Sequence, residues 1–573
     1  MNRVNPFGFA RDLASRWDAL AILVIMGLIA FLGEASHGLL EPLAKLDAQP
    51  LSLAPAHLPE YAARTTLRMF AALALSMIFT LTYATWAAKS PRAGKLLVPI
   101  LDILQSVPIL GFISITVVFF MSLAPGRVLG AEFAAVFAIF TSQAWNMAFS
   151  FYQSLRTVPI ELREAADSFL LSPWMRFWQL EVPFALPSLI WNMMMSMSGG
   201  WFFVVASESI SVGHTNVALP GVGSYIAMAI AERNLPAIGW AILTMLIVIL
   251  AYDQLLFRPL IAWVDRFRVE QEPDATMPTS WVLDTMQRSR LIRRLTLAFY
   301  GLIRWTSQIG PPRRPVIKRA ALAARARMLD RFWYAIMIVV IALAVWHIGR
   351  VLIVRTSMAE VRSVTVLALI TFLRVALLIA LASLVWVPIG VWVGLRPRVT
   401  QIVQPIAQFL AAFPANLVFP LMVSMIVAWR LNPDIWLSVL MILGTQWYIL
   451  FNVIAGASAM PGELRYAAQN LRVGGWLWWR KVALPGVFPF YVTGAITASG
   501  GSWNAAIVAE VANWGQTRVA ARGLGAYIAD ATEAGDFHRI ILGITTMSLF
   551  VVVINRLFWR PLYYFAERKY TLT

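Results

Sequence analysis

The sequence predicts an all-α membrane protein of about 12 transmembrane helices, arranged as two tandem parallel six-helix repeats joined by a basic cytoplasmic linker. Three observations carry this prediction. The chain is too apolar to be soluble, its basic residues gather in short segments between apolar runs, and its two halves repeat one pattern at a nearly constant spacing.

Of 573 residues, 59% are hydrophobic and 13% charged, with a mean hydropathy of +0.69. A soluble globule of this length must cover itself with polar side chains, so the bilayer has to solvate the surplus apolar surface. There is no cysteine, which excludes disulfides, thiol catalysis and Cys-based metal sites. The net charge of +18 could indicate nucleic acid, but the placement of the charges argues for cytoplasmic loops and against a nucleic-acid partner.

Apolar runs fall near 19–38, 66–87, 96–122, 131–150, 184–206 and 237–258. A second set lies near 332–349, 365–394, 402–429, 433–452, 486–509 and 539–560. Each approaches the ~20 residues that a helix needs to cross the hydrocarbon. The first, with a basic lead and no small-residue cleavage site, is expected to be a retained anchor. Arg3, Arg11 and Arg16 precede it; Lys89, Arg92 and Lys95, then Arg156, Arg163 and Arg176, then Arg396 and Arg398, occupy alternate loops. Those loops share one side, which puts both termini and the linker in the cytoplasm of a bacterial inner-membrane protein. The expected domains are 1–262 and 332–573, with the linker at 263–331. An amphipathic stretch near Arg290–Trp305 could lie on anionic lipid or be a solvated tether.

The repeat is explicit. At an offset of 302, Pro159, Glu161, Leu162, Arg163, Ala165 and Ala166 match Pro461, Glu463, Leu464, Arg465, Ala467 and Ala468. Pro183, Trp201, Glu208, Gly221, Gly223, Tyr225, Arg258 and Pro259 likewise recur as Pro485, Trp503, Glu510, Gly523, Gly525, Tyr527, Arg560 and Pro561. Earlier in each half the offset is 306, pairing Thr65, Arg68 and Pro108 with Thr371, Arg374 and Pro414. Unrelated apolar stretches would not preserve charged, Gly and Pro positions. An even number of spans per half gives both the same orientation, which excludes an inverted repeat.

Between spans four and five, each half carries a polar segment near 159–183 and 461–485. Glu164-Ala165-Ala166 followed by Leu180-Glu181-Val182-Pro183 resembles the EAA loop of type I ATP-binding-cassette importer permeases. The second copy reads Tyr466-Ala467-Ala468 and Val482-Ala483-Leu484-Pro485, with the same spacing. In that family the loop forms two short helices that dock on the ATPase. The resemblance therefore implies docking by Glu161, Glu164, Ala165, Ala166 and Pro183, and by Glu463, Ala467, Ala468 and Pro485. Small alanines permit close backbone approach, and an acidic residue near a helix start is favoured by the dipole. Both copies depart from the family where it has Gly, carrying Leu170 and Arg472, and Tyr466 replaces the second Glu, so unequal docking sites are expected. No Gly-x-x-x-x-Gly-Lys-Ser/Thr occurs. The chain is thus expected to be no enzyme, with ATP and Mg²⁺ held by two separate ATPase subunits. The family also implies an extracytoplasmic binding protein.

After span five, Trp201…Val205-Ala206-Ser207-Glu208 and Trp503…Val508-Ala509-Glu510 each precede a Gly-x-Gly-x-Tyr-Ile segment. This resembles the nitrate/sulfonate/taurine group and implies a small anion as solute. Trp and Glu seven apart share a helix face, and an ionisable group in a span is a functional candidate by default. Trp201, Glu208, Trp503, Asn504 and Glu510 are therefore path or gate candidates. The glutamates could close an outward gate through pairs that break as the halves separate, or stand at the water boundary. Arg68 and Arg374 could pair with them or snorkel from helix ends. Gln143, Asn146, Asn192 and Gln446 are expected to join helices, and His214 and His538 are too sparse for a metal site. A secondary transporter or channel needs buried charge in several spans and has no use for matched loops. A membrane-embedded enzyme needs a catalytic motif that the chain lacks.

Overall fold

The structure, a computed structural model, describes residues 51–264, 280–289 and 357–570, apart from 107–108, 213–214 and 516, together with scattered positions elsewhere. The first apolar run of each half, most of the linker and its expected amphipathic stretch lie outside these continuous segments. Helix α1 (Leu58–Phe79) opens the first half, followed by α2 (Pro91–Ser106), α3 (Ile109–Leu123) and α4 (Val128–Arg156). Then come a short α5 (Ile160–Ser168), the long α6 (Val182–Glu208), the hairpin β1 (Ser209–Val212) and β2 (Thr215–Ala218), α7 (Val222–Ala231) and α8 (Leu235–Tyr252).

The second half repeats this order. It runs through α9 (Met358–Gly394), α10 (Pro397–Ala412), α11 (Phe419–Ala428), α12 (Pro433–Leu443), α13 (Gln446–Ser458) and α14 (Gly462–Asn470). After them follow α15 (Leu484–Ala509), the hairpin β3 (Val511–Trp514) and β4 (Thr517–Ala520), α16 (Leu524–Glu533) and α17 (Phe537–Ile554). Both hairpins are antiparallel and in equivalent register, Ser209 opposite Ala218 and Val511 opposite Ala520.

Among the described residues, seven helices are long and apolar enough to cross a membrane, or eight if the bent pair α12–α13 is one span. The all-α architecture is as expected, but two expected spans are broken. The run at 96–122 is two helices, α2 ending at Ser106 and α3 starting at Ile109, and the run at 402–429 is α10 and α11. Pro414 stands at the second break, preceded by an extended Phe413, while residues 107–108 between α2 and α3 are outside the described ones. Proline lacks the N–H that would continue the ladder and drives the preceding residue out of the helical region.

Other prolines are absorbed without a break. Wider π-turns occupy 177–181, 253–257, 479–483 and 555–559. Pro183, Pro259, Pro485 and Pro561 follow two residues behind them. The carbonyl that each ring would strike, four residues back, lies within the π-turn, where the backbone has opened by one residue. The Leu-x-x-Pro end of the polar loop thus marks a continuous kinked helix from Pro173 to Glu208.

Each half has its own core. Met69, Leu189, Trp201, Tyr225 and Ile249 lie in the first, Val364, Leu437, Trp503 and Ile528 in the second. The cores interlock: Phe409, Phe413 and Trp514 of the second half pack on the first core, and Phe202 and Phe203 of the first pack on the second. Exposed Leu75, Ile78, Ile247, Leu373 and Leu381 give the spans the apolar outer surface that lipid requires.

Candidate functional site

At the N-terminal end of α6 and α15 the polar segments fold as paired short helices. Glu161 sits in the first turn of α5 and Glu463 in that of α14, where the helix dipole favours a carboxylate. Ala165 and Ala467 are exposed, whereas Ala166 and Ala468 are buried against the bundle. The adjacent alanines therefore face opposite ways, one outward and one inward. Glu161, Glu164 and Glu463 are exposed as well.

Each short helix ends in the left-handed region, at Leu170 with φ 53° and Arg472 with φ 51°. The N–H of Leu171 donates to Ala166 O at 3.1 Å, and that of Val473 to Ala468 O at 2.9 Å. These are helix ends of the kind that normally carry glycine. The two departures from the family Gly thus keep the glycine conformation without the glycine.

At the opposite end of α6 and α15 lies a pair of buried ionic knots. Arg68 Nη1 is 2.7 Å from Glu208 Oε1, and the same guanidinium grips Glu132 in a fork, both bonds 2.6 Å. In the second half Arg374 lies 3.1 Å from Glu510 and 2.7 Å from Asp434. Glu208 and Glu510 are 0% and 1% exposed. Arg68 stands well inside its span and is 4% exposed, so helix-end snorkelling does not describe the first knot, whereas in the second the Asp434 side chain is partly open to solvent. Thr65 accepts from Val222 N–H at 3.0 Å and Thr371 from Leu524 N–H at 2.9 Å, which ties the start of α7 and α16 into each knot.

The Gly-x-Gly segments follow from the same geometry. Gly223 N–H donates to Glu208 Oε2 at 2.7 Å, and a Cβ on Gly221 or Gly523 would overlap the Glu208 or Glu510 carboxylate. A Cβ on Gly223 or Gly525 would strike the Val205 or Ala506 carbonyl. Only glycine lets the backbone approach this closely. Glu132 and Asp434 were not among the sequence candidates. Their signal was present, since they are acidic residues at the shared offset of 302 in otherwise apolar runs.

Each knot lies wholly within one half. Separation of the halves would leave both ion pairs intact, which corrects the expectation that these glutamates close a gate between halves. The hairpins supply contacts that do cross the seam at this end, beside those of α3 with α16 and α17. Gly515 N–H donates to Ile230 O at 3.0 Å, and Arg233 Nη2 donates to Thr517 Oγ1 at 2.8 Å. The first hairpin in turn meets α16. A knot therefore anchors each hairpin base, and the hairpin itself reaches the short helix of the other half.

Between the halves, at mid-bundle, is a cavity of about 210 Å³. Its walls are mainly apolar, with Leu440, Ile496, Val551 and Ile554 among them, and carry polar and aromatic groups from both halves: Gln105, Thr141, Ser142, Asn146, Phe202 and Phe203 from the first, Thr445, Tyr448, Ser499, Trp503, Asn504 and Asn555 from the second. Among the described residues, none of those that line it is charged. Trp503 and Asn504 thus reach it, while Trp201, Glu208 and Glu510 do not. Trp201 is 0% exposed and meets Tyr252 edge to face at 6.1 Å within the first core. Asn146 also lines the cavity. Gln143, Asn192 and Gln446 instead bond Ser76, Ser150 and Trp386 on neighbouring helices. His214 lies outside the described residues. Among those described, no cluster of three or more His, Cys, Asp or Glu is arranged to hold a metal ion.

Comparison with known proteins agrees with this arrangement. The family model described as binding-protein-dependent transport system inner membrane component matches the chain twice, over residues 62–266 and 386–568. The bicarbonate transport system permease protein CmpB of Synechococcus elongatus is 28% identical over 183 residues, 32% of this chain and 63% of that protein. The nitrate import permease protein NrtB of Leptolyngbya laminosa is 28% identical over 184 residues, 32% of this chain and 62% of that protein. The glycine betaine/proline betaine transport system permease protein ProW of Escherichia coli is 28% identical over 153 residues, 26% and 41% of the two chains. The matched segment spans less than two thirds of each of these relatives. With both matches covering most of its two halves, the chain belongs to the binding-protein-dependent transport system inner membrane components and carries the family's domain twice in one polypeptide.

Proposed function

We propose that this chain forms the membrane path of an importer that moves a small anion, such as nitrate, bicarbonate or a sulfonate, by alternating access. The observation that carries this reading is the cavity on the seam between two equivalent halves, where hydroxyl and amide groups stand in a mainly apolar wall and none of the described lining residues is charged. Two separate ATPase subunits would dock on the short helices α5 and α14, at the cytoplasmic face, and a binding protein would deliver solute at the hairpin end. The domains are 1–262 and 332–573, flanking the linker. Closure of the ATPases would draw α5 and α14 together and tilt the halves, parting the hairpin contacts. Neutral donors suit transit, since an anion held by hydroxyls and amides keeps partners without the deep trap of a buried ion pair. The names of the bicarbonate and nitrate relatives support an anion.

The aromatic walls and the betaine relative favour a second reading, in which a quaternary ammonium rides over Trp503, Tyr448 and Phe202. Uptake into proteoliposomes holding this chain, its ATPases and its binding protein separates the two. ATP-dependent uptake of nitrate, bicarbonate or taurine is expected. Uptake of glycine betaine alone would move the assignment to the second reading, and gradient-driven uptake without ATP would refute both.

A further inference from the structure

A cleft of about 510 Å³ lies beside the first short helix, where Ala88 and Lys89 after α1, the end of α4 and the turn at Pro173–Glu181 that leads into α6 meet the loop that carries α5. Its charged walls are Lys89, Arg156, Arg163 and Arg176 against one carboxylate, Glu181. Lys89 Nζ lies 2.7 Å from Glu181 and Arg176 Nε 3.4 Å from it. That Nε is buried and makes no hydrogen bond. Arg163 turns to the carbonyls of Leu155 and Arg156 at 3.1 and 3.3 Å, capping α4. Glu181 is thus the one carboxylate in the lining against four cations, and Asp167, outside the lining, lies 3.6 Å from Arg176 Nη1. The lining carries three positive charges in excess.

The second half does not repeat this set of charges at the matched positions. At the matched positions it carries Leu395 for Lys89, Ser458 for Arg156, Trp478 for Arg176 and Ala483 for Glu181, keeping only Arg465 for Arg163. Packing of the shared fold does not demand these charges, since the second copy builds the same loop without them. Something particular to the first half must use them.

We infer that this cleft is a binding site for a phosphate group, gripped by Arg156, Arg176 and Lys89 and placed to brace the first coupling loop. Guanidinium forks match phosphate oxygens in pairs. The cleft stands where a span meets the polar loop, the depth of lipid headgroups, and basic clefts between spans on that side take anionic headgroups. Two sources offer the same chemistry, an anionic phospholipid and free phosphate. A bound phosphate would join Lys89 beyond α1, the end of α4 and Arg176 ahead of α6 to the loop of α5, and so stiffen one coupling loop and not the other.

The test uses the full chain in nanodiscs of phosphatidylcholine, with its melting temperature as the readout. Arg156 is exposed and makes no side-chain hydrogen bond in this cleft, so Arg156→Gln leaves the fold intact. Added phosphatidylglycerol should raise the melting temperature of the parent in a dose-dependent way. Arg156→Gln should weaken the apparent affinity about fivefold, the effect of one basic residue near an anionic surface. If inorganic phosphate alone reproduces the shift, the ligand is the free anion and the site still stands. The inference fails if neither probe shifts the parent, or if parent and Arg156→Gln respond alike.

Discussion

Arg68 on α1 and Glu208 at the end of α6 form an ion pair of 2.7 Å that is closed to solvent and contained in one half. Glu132 holds the other edge of the same guanidinium. Removing one member leaves its partner buried and charged, a loss of ~3–5 kcal/mol in comparable sites. Glu208→Gln is therefore expected to lower the melting temperature of the purified chain and to loosen β1–β2, as read by hydrogen exchange. The double variant Arg68→Leu with Glu208→Leu should lose less than the sum of the two single changes. Additive losses would mean that the pair does not act as a unit.

At the hairpin end, the contact of Arg233 with Thr517 and of Gly515 with Ile230 joins the halves. The absence of natural cysteine makes the site addressable. A short thiol cross-linker between Arg233→Cys and Thr517→Cys should abolish uptake, and a cleavable linker should restore it on cleavage. Unimpaired uptake by the cross-linked protein would show that these contacts need not part.

The outward-facing alanines separate docking from folding. Ala165→Arg should insert and fold normally yet lose ATP-coupled uptake, because the added bulk stands on the exposed side of α5. Ala467→Arg is expected to be milder, since Tyr466 already crowds the second helix. Ala166→Arg should instead impair folding, its site being buried. Equal coupling in the two outward variants and the parent would remove α5 from the docking surface.

Leu170 and Arg472 hold a left-handed conformation that costs an L-residue roughly 1 kcal/mol and glycine almost nothing. Leu170→Gly and Arg472→Gly are thus expected to protect the last turns of α5 and α14 from hydrogen exchange. Leu170 is 75% exposed, so little burial is lost with its side chain. Faster exchange in either variant would contradict the strain.

A charge in the cavity tests the sign of the solute. Two unit charges 4 Å apart at an effective dielectric of 20 interact by ~4 kcal/mol. Asn504→Asp should therefore reduce nitrate uptake at least tenfold, a bound with wide margin, while leaving betaine uptake unharmed if betaine is carried. Equal anion uptake by parent and variant would place the path away from Asn504.

Much of this protein could be read from the chain itself. Hydropathy, the spacing of prolines and the recurrence of Pro159-x-Glu161 as Pro461-x-Glu463 follow from local sequence, because bilayer thickness and helix geometry act on consecutive residues. The membrane class, the repeat and the paired loops were therefore legible. Tertiary structure decided which residues meet. Arg68 and Glu208 are 140 positions apart, and nothing local distinguishes a partner in the same half from one across the seam. Glu132 looked like an isolated acid in an apolar run until α4 packed against α1. Trp201 and Trp503 occupy one register and each is buried in the core of its own half, yet of the two it is Trp503 that also borders the cavity. A repeat makes two halves equivalent in sequence; only their packing shows which face of each is spent on its own core and which is left for the path between them.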